Sequence, residues 1–326
     1  MSPSPEFLAQ YEALTLTAGF ARLNRTLLAL RGTDRVALLN SFCTNDIKRL
    51  QPGQGCEAFI TTPQGKTLSH VFALCQTDEI LLNTSAGQAE ALIAHFNRYI
   101  ISEDVELSDQ TSREGLLLLS GQNAATIIEQ LAGFSAPQHV LESQYARIGD
   151  RGILISRVPY SGTNSFFLQA QNDDLPFVEQ ELIGRGILHC AAEAVESARL
   201  EAGFPLFGAD ITAENLPQEC GRDSQAISFQ KGCYLGQETV ARLDALGHVN
   251  RRLTGLQFKS EIIPKPATQL LKGDKAIGHV TTAAWSPRLQ SPLAFALVRT
   301  AHSSASTLLD SECGEATVIP LPLPTS

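Results

Sequence analysis

The sequence predicts an α+β fold of two tandem, related α+β domains followed by a small β-barrel, and three observations carry that reading. First, a strand-helix pattern recurs: "LLALRGTDRVALL" at 27–39 resembles "LLLLSGQNAATII" at 116–128, and "EILLNTSAGQAEALIAHF" at 79–96 resembles "SFFLQAQNDDLPFVEQEL" at 165–182, at offsets of about 89 and 86 residues. Chance similarity between short apolar strings is the competing explanation. Second, beyond residue 250 the pattern turns to short β-like runs broken by Pro and Gly. Third, 326 residues with 43% hydrophobic composition suffice for two or three cores, at about 150 residues per domain.

The elements follow in order. "RTLLALRGTDRVALLNSFCTNDIKRL" at 25–50 begins with an apolar strand ending at Gly32 and continues as a helix, with Val36, Leu39, Phe42 and Cys43 on one face and Thr33 and Asp34 as start signals. "CEAFITTPQG" and "KTLSHVFALC" read as two strands around a Pro-Gln-Gly turn. "EILLNTSAG" is a third strand and "QAEALIAHFNRYI" a helix, giving the order βαβββα. After residue 189, "AAEAVESARLEAG" is helical and "FPLFGADITAENLPQECGRDSQAISFQ" irregular, a long internal loop of the kind that carries function; "GQETVARLDAL" resumes a helix. "RRLTGLQF", "KAIGHVTTAAW", "LAFALVRT" and "EATVIPL" complete a terminal β-barrel or sandwich. The expected domains are 1–50 with 111–247, then 51–110, then the barrel at 248–326.

A net charge of -9 argues against duplex nucleic acid and anionic membranes as partners, since both require clustered Lys and Arg; Arg242, Arg251 and Arg252 are too few to offset it. The seven cysteines, at 43, 56, 75, 190, 220, 233 and 313, show no CxxC and no paired spacing, so neither a metal site nor a disulfide framework is expected. The N-terminal "MSPSPEFLAQYEALTL" lacks the basic-then-apolar order of a targeting peptide, and no apolar run reaches the roughly 18 residues of a membrane span. A cytoplasmic protein with reduced thiols is the expectation.

"FQKGCYLGQE" at 229–238 holds the residue of greatest chemical interest. If a turn ends at Cys233 and a helix opens near Gly236, the thiol stands by the positive end of a helix dipole with Lys231 two residues away. Such a setting favours the nucleophilic, metal-binding thiolate. The flanking glycines suit close approach by a ligand or another chain. Packing as a small hydrophobe is the other reading of Cys233, and the one that the remaining six cysteines receive.

"KGCYLGQE" resembles the signature of the YgfZ family of folate-binding proteins, relatives of the glycine cleavage system aminomethyltransferase, or T-protein (GcvT). "ARLEAGFPLFGADI" at 198–211, "LPQE" at 216–219, "GTDRVALLNSFCTNDIKRL", "TPQGKTLSHVFAL" and "GHVNRRLTGL" are similar to further segments of that family. The resemblance implies a GcvT-like three-domain cloverleaf enclosing a channel for tetrahydrofolate or a derivative. It also implies that Glu201 contacts the pterin end, with Arg199, Asn83 and Gln237 as further folate contacts. A carboxylate suits this chemistry, because it accepts paired hydrogen bonds from an amino-pyrimidine edge.

The transferase branch relies on an acidic residue beside the folate, and the matching strand here carries Ser69 and His70 instead. The YgfZ branch implies support for iron-sulfur cluster assembly or repair in client proteins, including tRNA-thiomethylating enzymes, with Cys233 as the reactive residue and Lys231 as its electrostatic partner. A tetrahydrofolate-dependent aminomethyl or one-carbon transferase or demethylase is the alternative function. A plain thiol enzyme or interaction scaffold is a third.

Overall fold

The structure is a computed structural model that describes residues 3–247 and 249–324; His248, within the segment 247–256 noted above, lies outside them. After helix α1 (Pro5–Thr15) and strand β1 (Gly19–Leu23), the first repeat runs β2 (Arg25–Arg31), α2 (Arg35–Phe42), β3 (Gly55–Thr61), β4 (Thr67–Cys75), β5 (Glu79–Ser85), α3 (Ala89–Asn97) and β6 (Glu106–Asp109). The second runs β7 (Glu114–Ser120), α4 (Ala124–Ala132), β8 (Ser143–Ile148), β9 (Arg151–Val158), β10 (Ser165–Gln171), α5 (Leu175–Gly184) and β11 (Leu188–His189).

The two repeats build sheets of the same plan. The first has strand order β3-β4-β5-β2-β6, and the second β8-β9-β10-β7-β1-β11, with β1 filling the place that β6 holds in the first. Leu28 pairs with Leu82 in one sheet and Leu117 with Leu168 in the other, which are the positions that the two repeat offsets superpose. The repetition in the sequence is therefore a repetition of hydrogen-bonding register.

Side chains alternate across a strand, so each sheet offers two faces. Outward, Leu28, Leu30, Val71 and Ala73 pack beneath α2 and α3, while Leu117, Leu119, Phe166 and Leu168 pack beneath α4 and α5. Inward, Ala29, Phe72, Leu74 and Leu81 of the first sheet meet Leu116, Leu118, Leu154 and Phe167 of the second in one shared core, capped by α1 and by α6 (Ala192–Glu201). The layers run helix, sheet, sheet, helix.

The long loop after α6 contains the short α7 (Asp223–Ala226) and leads to α8 (Gln237–Leu246). The terminal domain is a six-stranded barrel formed by β12 (Arg251–Phe258), β13 (Gln269–Lys272), β14 (Lys275–Ser286), β15 (Ser291–Arg299), β16 (Leu308–Leu309) and β17 (Ala316–Ile319), ordered β13-β14-β15-β12-β17-β16. A bridge between Leu271 and Asp310 brings its two edges together. Leu200 of α6 packs on Leu253, Leu293 and Phe295, joining barrel and body.

The sheets divide the chain differently from the expected boundary at residue 50. Strand β2 pairs with β5 and β6, and α2 packs on the same sheet, so residues 25–50 belong with the 51–110 strands. The chain crosses between sheets at Asn24, between β1 and β2.

Because Leu28 and Leu117 lie in separate outer cores, Leu28→Ala and Leu117→Ala should each cost about 2–5 kcal/mol, and the double variant should match their sum within about 0.5 kcal/mol. Urea unfolding of the three variants checks this; strong coupling would contradict two separate cores.

Candidate functional site

The 231–238 motif is fastened to the first repeat. The buried Lys231 ammonium donates to the carbonyls of Asn40, Cys43 and Asn45, each at 2.7 Å, so its three protons meet three acceptors. The sulfur within its reach is that of Cys43, at 3.8 Å. Leu235 N donates to Ser41 O at 2.9 Å, and Thr61 Oγ1 donates to Leu235 O at 2.6 Å. Lys231 therefore serves the 40–45 turn, where the sequence suggests a partner for Cys233.

Gly236 has φ +84°, and a Cβ there would stand 2.5 Å from Thr62 O and 2.8 Å from Gly65 Cα. The close approach expected at the motif's glycines is made here by the chain's own 62–65 turn, whereas Gly232 faces open space. Helix α8 begins at Gln237, which is half-buried, with Gly236 as its N-cap. Cys233 is exposed, and the other six cysteines are buried or half-buried. It is the one exposed thiol of the seven.

Arg199 and Glu201 sit in the last turn of α6. The fully buried Arg199 guanidinium bonds Glu196 through Nε at 2.9 Å and Nη2 at 2.5 Å, and its Nη1 donates to Asp210 at 2.8 Å and to Phe204 O at 2.5 Å. It ties the 204–210 loop to the helix. Glu201 accepts from Tyr11 OH at 2.6 Å and from Ser286 Oγ at 2.5 Å, where α1, α6 and β14 meet. Burial pushes its carboxyl above the usual range, against the opposing effect of those hydrogen bonds.

A second polar group occupies the inner face between the sheets. The His70 ring lies between Phe59 and Phe204, with centroids at 4.9 and 5.3 Å and near-parallel planes, and its Nε2 is 2.8 Å from Glu57 Oε1. Arg222 grips the same carboxylate through Nε at 2.7 Å and Nη2 at 2.5 Å. Burial alone would raise the Glu57 carboxyl, but the Arg222 and His70 contacts hold it down at about 2. Ser69 faces the opposite side of the sheet, with its Oγ 2.8 Å from Thr84 Oγ1. The carboxylate nearest the strand 67–75 at this point is therefore Glu57 of β3, and it is paired with Arg222 and His70.

From Phe204 an aromatic layer continues through Phe72 (5.2 Å), Tyr160 (5.3 Å) and Phe167 (5.5 Å from Tyr160). It ends at Arg25, which is 6% exposed and whose guanidinium carbon stands 5.6 and 5.7 Å from the Tyr160 and Phe167 ring centres. Arg25 Nε donates to Asn83 Oδ1 at 2.6 Å, which leaves Nη1 buried with no partner. Burial pulls its pKa down to about 10. Ring contacts of this kind return about 0.5–2 kcal/mol, against several kcal/mol for burying an ion. Arg25 also lines a cavity of about 370 Å³ at the crossing between the sheets.

Of the residues singled out in the sequence, Cys233, Lys231 and Gln237 lie together in one motif, Arg199 and Glu201 lie at the junction with the barrel, and Asn83 lies in the inner layer. Glu57, Arg222 and Arg25 were not singled out. For Glu57 the signal is a charge inside an otherwise uncharged strand; Arg25 opens its strand, where a charge is ordinary, and for Arg222 the sequence offers none, since its partner is 165 residues away.

Residues 24–231 match the GCVT N-terminal domain family, and residues 251–323 match the glycine cleavage T-protein C-terminal barrel domain. The chain belongs to the glycine cleavage T-protein family. An aminomethyltransferase of Bacillus velezensis is 26% identical over 317 residues, covering 95% of this chain and 86% of its own length. One from Thermus thermophilus is 28% identical over 271 residues, covering 82% and 76%. The glycine cleavage system aminomethyltransferase T of Bartonella henselae superposes with a TM-score of 0.87 at 20% identity, covering 98% of this chain and 89% of that one, which establishes the fold. The family uses tetrahydrofolate. Among the described residues no helix is long and apolar enough to cross a membrane, and no His, Cys, Asp or Glu cluster has the arrangement of a metal site.

Two stability measurements test the site's construction. The stabilisation from Glu57 is present above pH 4.5 and is lost as pH falls toward 2, so Glu57→Gln should cost roughly 3–5 kcal/mol at pH 7 and progressively less below pH 4.5. A gap that stays constant down to pH 3 would contradict the ionised pair. In the motif, Gly236→Ala should lower stability by about 1–3 kcal/mol while Gly232→Ala leaves it nearly unchanged, as read from thermal unfolding.

Proposed function

We propose that this protein binds tetrahydrofolate between its two α+β units and supports assembly or repair of iron-sulfur clusters in client proteins through Cys233. The observation that carries the second part is an exposed thiol in a motif whose neighbours are pinned on both sides, by Lys231 at the 40–45 turn and by Gly236 at the 62–65 turn. Such a thiol is presented outward from a motif anchored on both sides. The "KGCYLGQE" resemblance names the same residue.

Several groups of the inner layer suit the chemistry of a folate. Its aromatic rings suit a flat heterocycle, Asn83 offers amide hydrogen-bonding groups, and Arg25 has an unmet donor. Glu201, Arg199 and Gln237 remain the contacts that the resemblance supplies. When bound, tetrahydrofolate supplies amine nitrogens that carry one-carbon units. A single thiolate cannot hold a cluster, which generally takes four protein ligands, so Cys233 acts transiently on cluster iron or sulfur, or on a client disulfide or persulfide. Client proteins and folate are then the partners.

Aminomethyl or one-carbon transfer is the second reading, and two observations favour it. The relatives named above are aminomethyltransferases along most of their length. His70 is also held by an ionised carboxylate, the arrangement that orients an imidazole as a general base. Against it, both Glu57 oxygens are already bound by Arg222.

The experiment supplies wild type, Cys233→Ala or His70→Gln to cells that lack the endogenous family member and measures a cluster-dependent tRNA-thiomethylating activity. Wild type and His70→Gln should rescue, and Cys233→Ala should not. Full rescue by Cys233→Ala would overturn the thiol role. Methylene-tetrahydrofolate formation with an aminomethyl carrier protein, lost in His70→Gln and kept in Cys233→Ala, would establish the second reading instead.

A further inference from the structure

We propose that the C-terminal segment 320–324 is a latch that clamps the barrel onto the end of α6 and keeps the Glu201 carboxylate closed, so that a ligand using Glu201 has to release it. The ligand part rests on the folate reading above, in which Glu201 takes the pterin end; the latch itself rests on geometry alone.

Chain ends fray unless something ties them down, and this one is tied along its length. Leu323 N donates to the Glu201 carbonyl at 2.8 Å, and the Leu323 side chain, 8% exposed, packs with Leu200, Leu253, Leu293 and Phe295 where barrel meets body. Leu321 is seated between two glycines: a Cβ at Gly203 would stand 3.1 Å from Leu321 Cβ, and one at Gly255 would stand 2.7 Å from Leu321 Cγ. Gly255 lies inside β12, where a glycine weakens the strand and marks a close approach by another part of the chain. The last tie comes from the exposed Arg288, whose Nη2 donates to the Pro324 carbonyl. The segment therefore holds α6, β12 and the β14–β15 turn at once.

That turn is what closes Glu201. Oε1 of the carboxylate accepts from Ser286 Oγ, which in turn accepts from Leu289 N at 3.1 Å, and the Arg288 backbone N–H also donates to the carboxylate. Oε2 accepts from Tyr11 OH of α1. With both oxygens engaged and the residue 3% exposed, an amino-pyrimidine edge meets its paired acceptors only after the 286–290 turn moves off α6. The tail opposes that movement, because it holds Glu201 through Leu323 and the turn through Pro324. The junction nevertheless has room to shift: a cavity of about 310 Å³, lined by Gly203, Gly255, Phe295, Pro320 and Leu321 among others, borders the segment. A tail that favours the closed arrangement lowers the population competent for ligand, and the apparent affinity falls by that fraction.

The chain's single tryptophan, Trp285, precedes Ser286 and reports on the turn. Wild type is compared with a chain stopped after Ile319 and with Arg288→Ala, which leaves the apolar packing in place, so the test does not depend on the truncated chain folding. Without ligand, both variants should show amide exchange about 10-fold faster at 200–204 and 286–290 and stronger acrylamide quenching of Trp285, with exchange in β2 and β5 unchanged. In calorimetry with 5-formyltetrahydrofolate, both should bind about 3- to 10-fold more tightly than wild type. Unchanged exchange and quenching in both variants, or weaker folate binding by Arg288→Ala, would overturn the latch. Faster exchange and stronger quenching as expected, with no folate binding by wild type or either variant, would uphold the latch and overturn the folate reading.

Discussion

Two sheets of the same plan pack face to face, and the layer between them is largely closed to water, so a polar group placed there is costly unless it finds a partner. That constraint organises the rest of the molecule. Leucine, alanine and phenylalanine fill most of the layer, and the charged groups that remain are handled one at a time. Glu57 is closed by Arg222 and His70, and the resulting block is sandwiched by Phe59 and Phe204. Arg199 is closed by Asp210 and Glu196 at the layer's margin. Arg25, at the opposite end of the aromatic run, is left with an open donor. Breaking a buried pair costs several kcal/mol, so these are the residues whose partners the fold cannot exchange.

The long loop after α6 carries the connection between this layer and the surface motif. It leaves α6 beside Arg199, places Phe204 against His70, sends Arg222 to Glu57, and reaches the surface at Cys233. Its exit is pinned by Lys231 on the 40–45 turn and by Gly236 on the 62–65 turn, which leads directly into the strand that bears His70. The exposed thiol and the buried imidazole are therefore held by neighbouring parts of one sheet. A ligand that shifts Phe204 or Arg222 acts on the same loop that presents Cys233.

What could be read in the sequence was what depends on local periodicity. The repeat at 27–39 and 116–128 announces two related sheets because register follows the alternation of apolar residues, and Leu28 and Leu117 occupy matching places. The motif likewise announces its own helix start, since Gly236 and Gln237 are adjacent in the chain. The assignment of residues 25–50 to a sheet was not legible, because strand partners at 79–85 and 106–109 lie far along the chain. Lys231 looks like a neighbour of Cys233 when sequence distance is the guide, yet its side chain turns inward to carbonyls 186 to 191 residues earlier. Arg222 meeting Glu57 and Arg25 meeting Asn83 are tertiary contacts with no local signature.

The central claim is that the layer between the sheets is the ligand site. A crystal structure of the protein grown with 5-formyltetrahydrofolate tests it most directly. The account predicts ligand density against Phe72, Tyr160, Phe167 and Phe204, with the Glu57–Arg222 pair unbroken. Ligand bound elsewhere, with the aromatic layer closed, would contradict it.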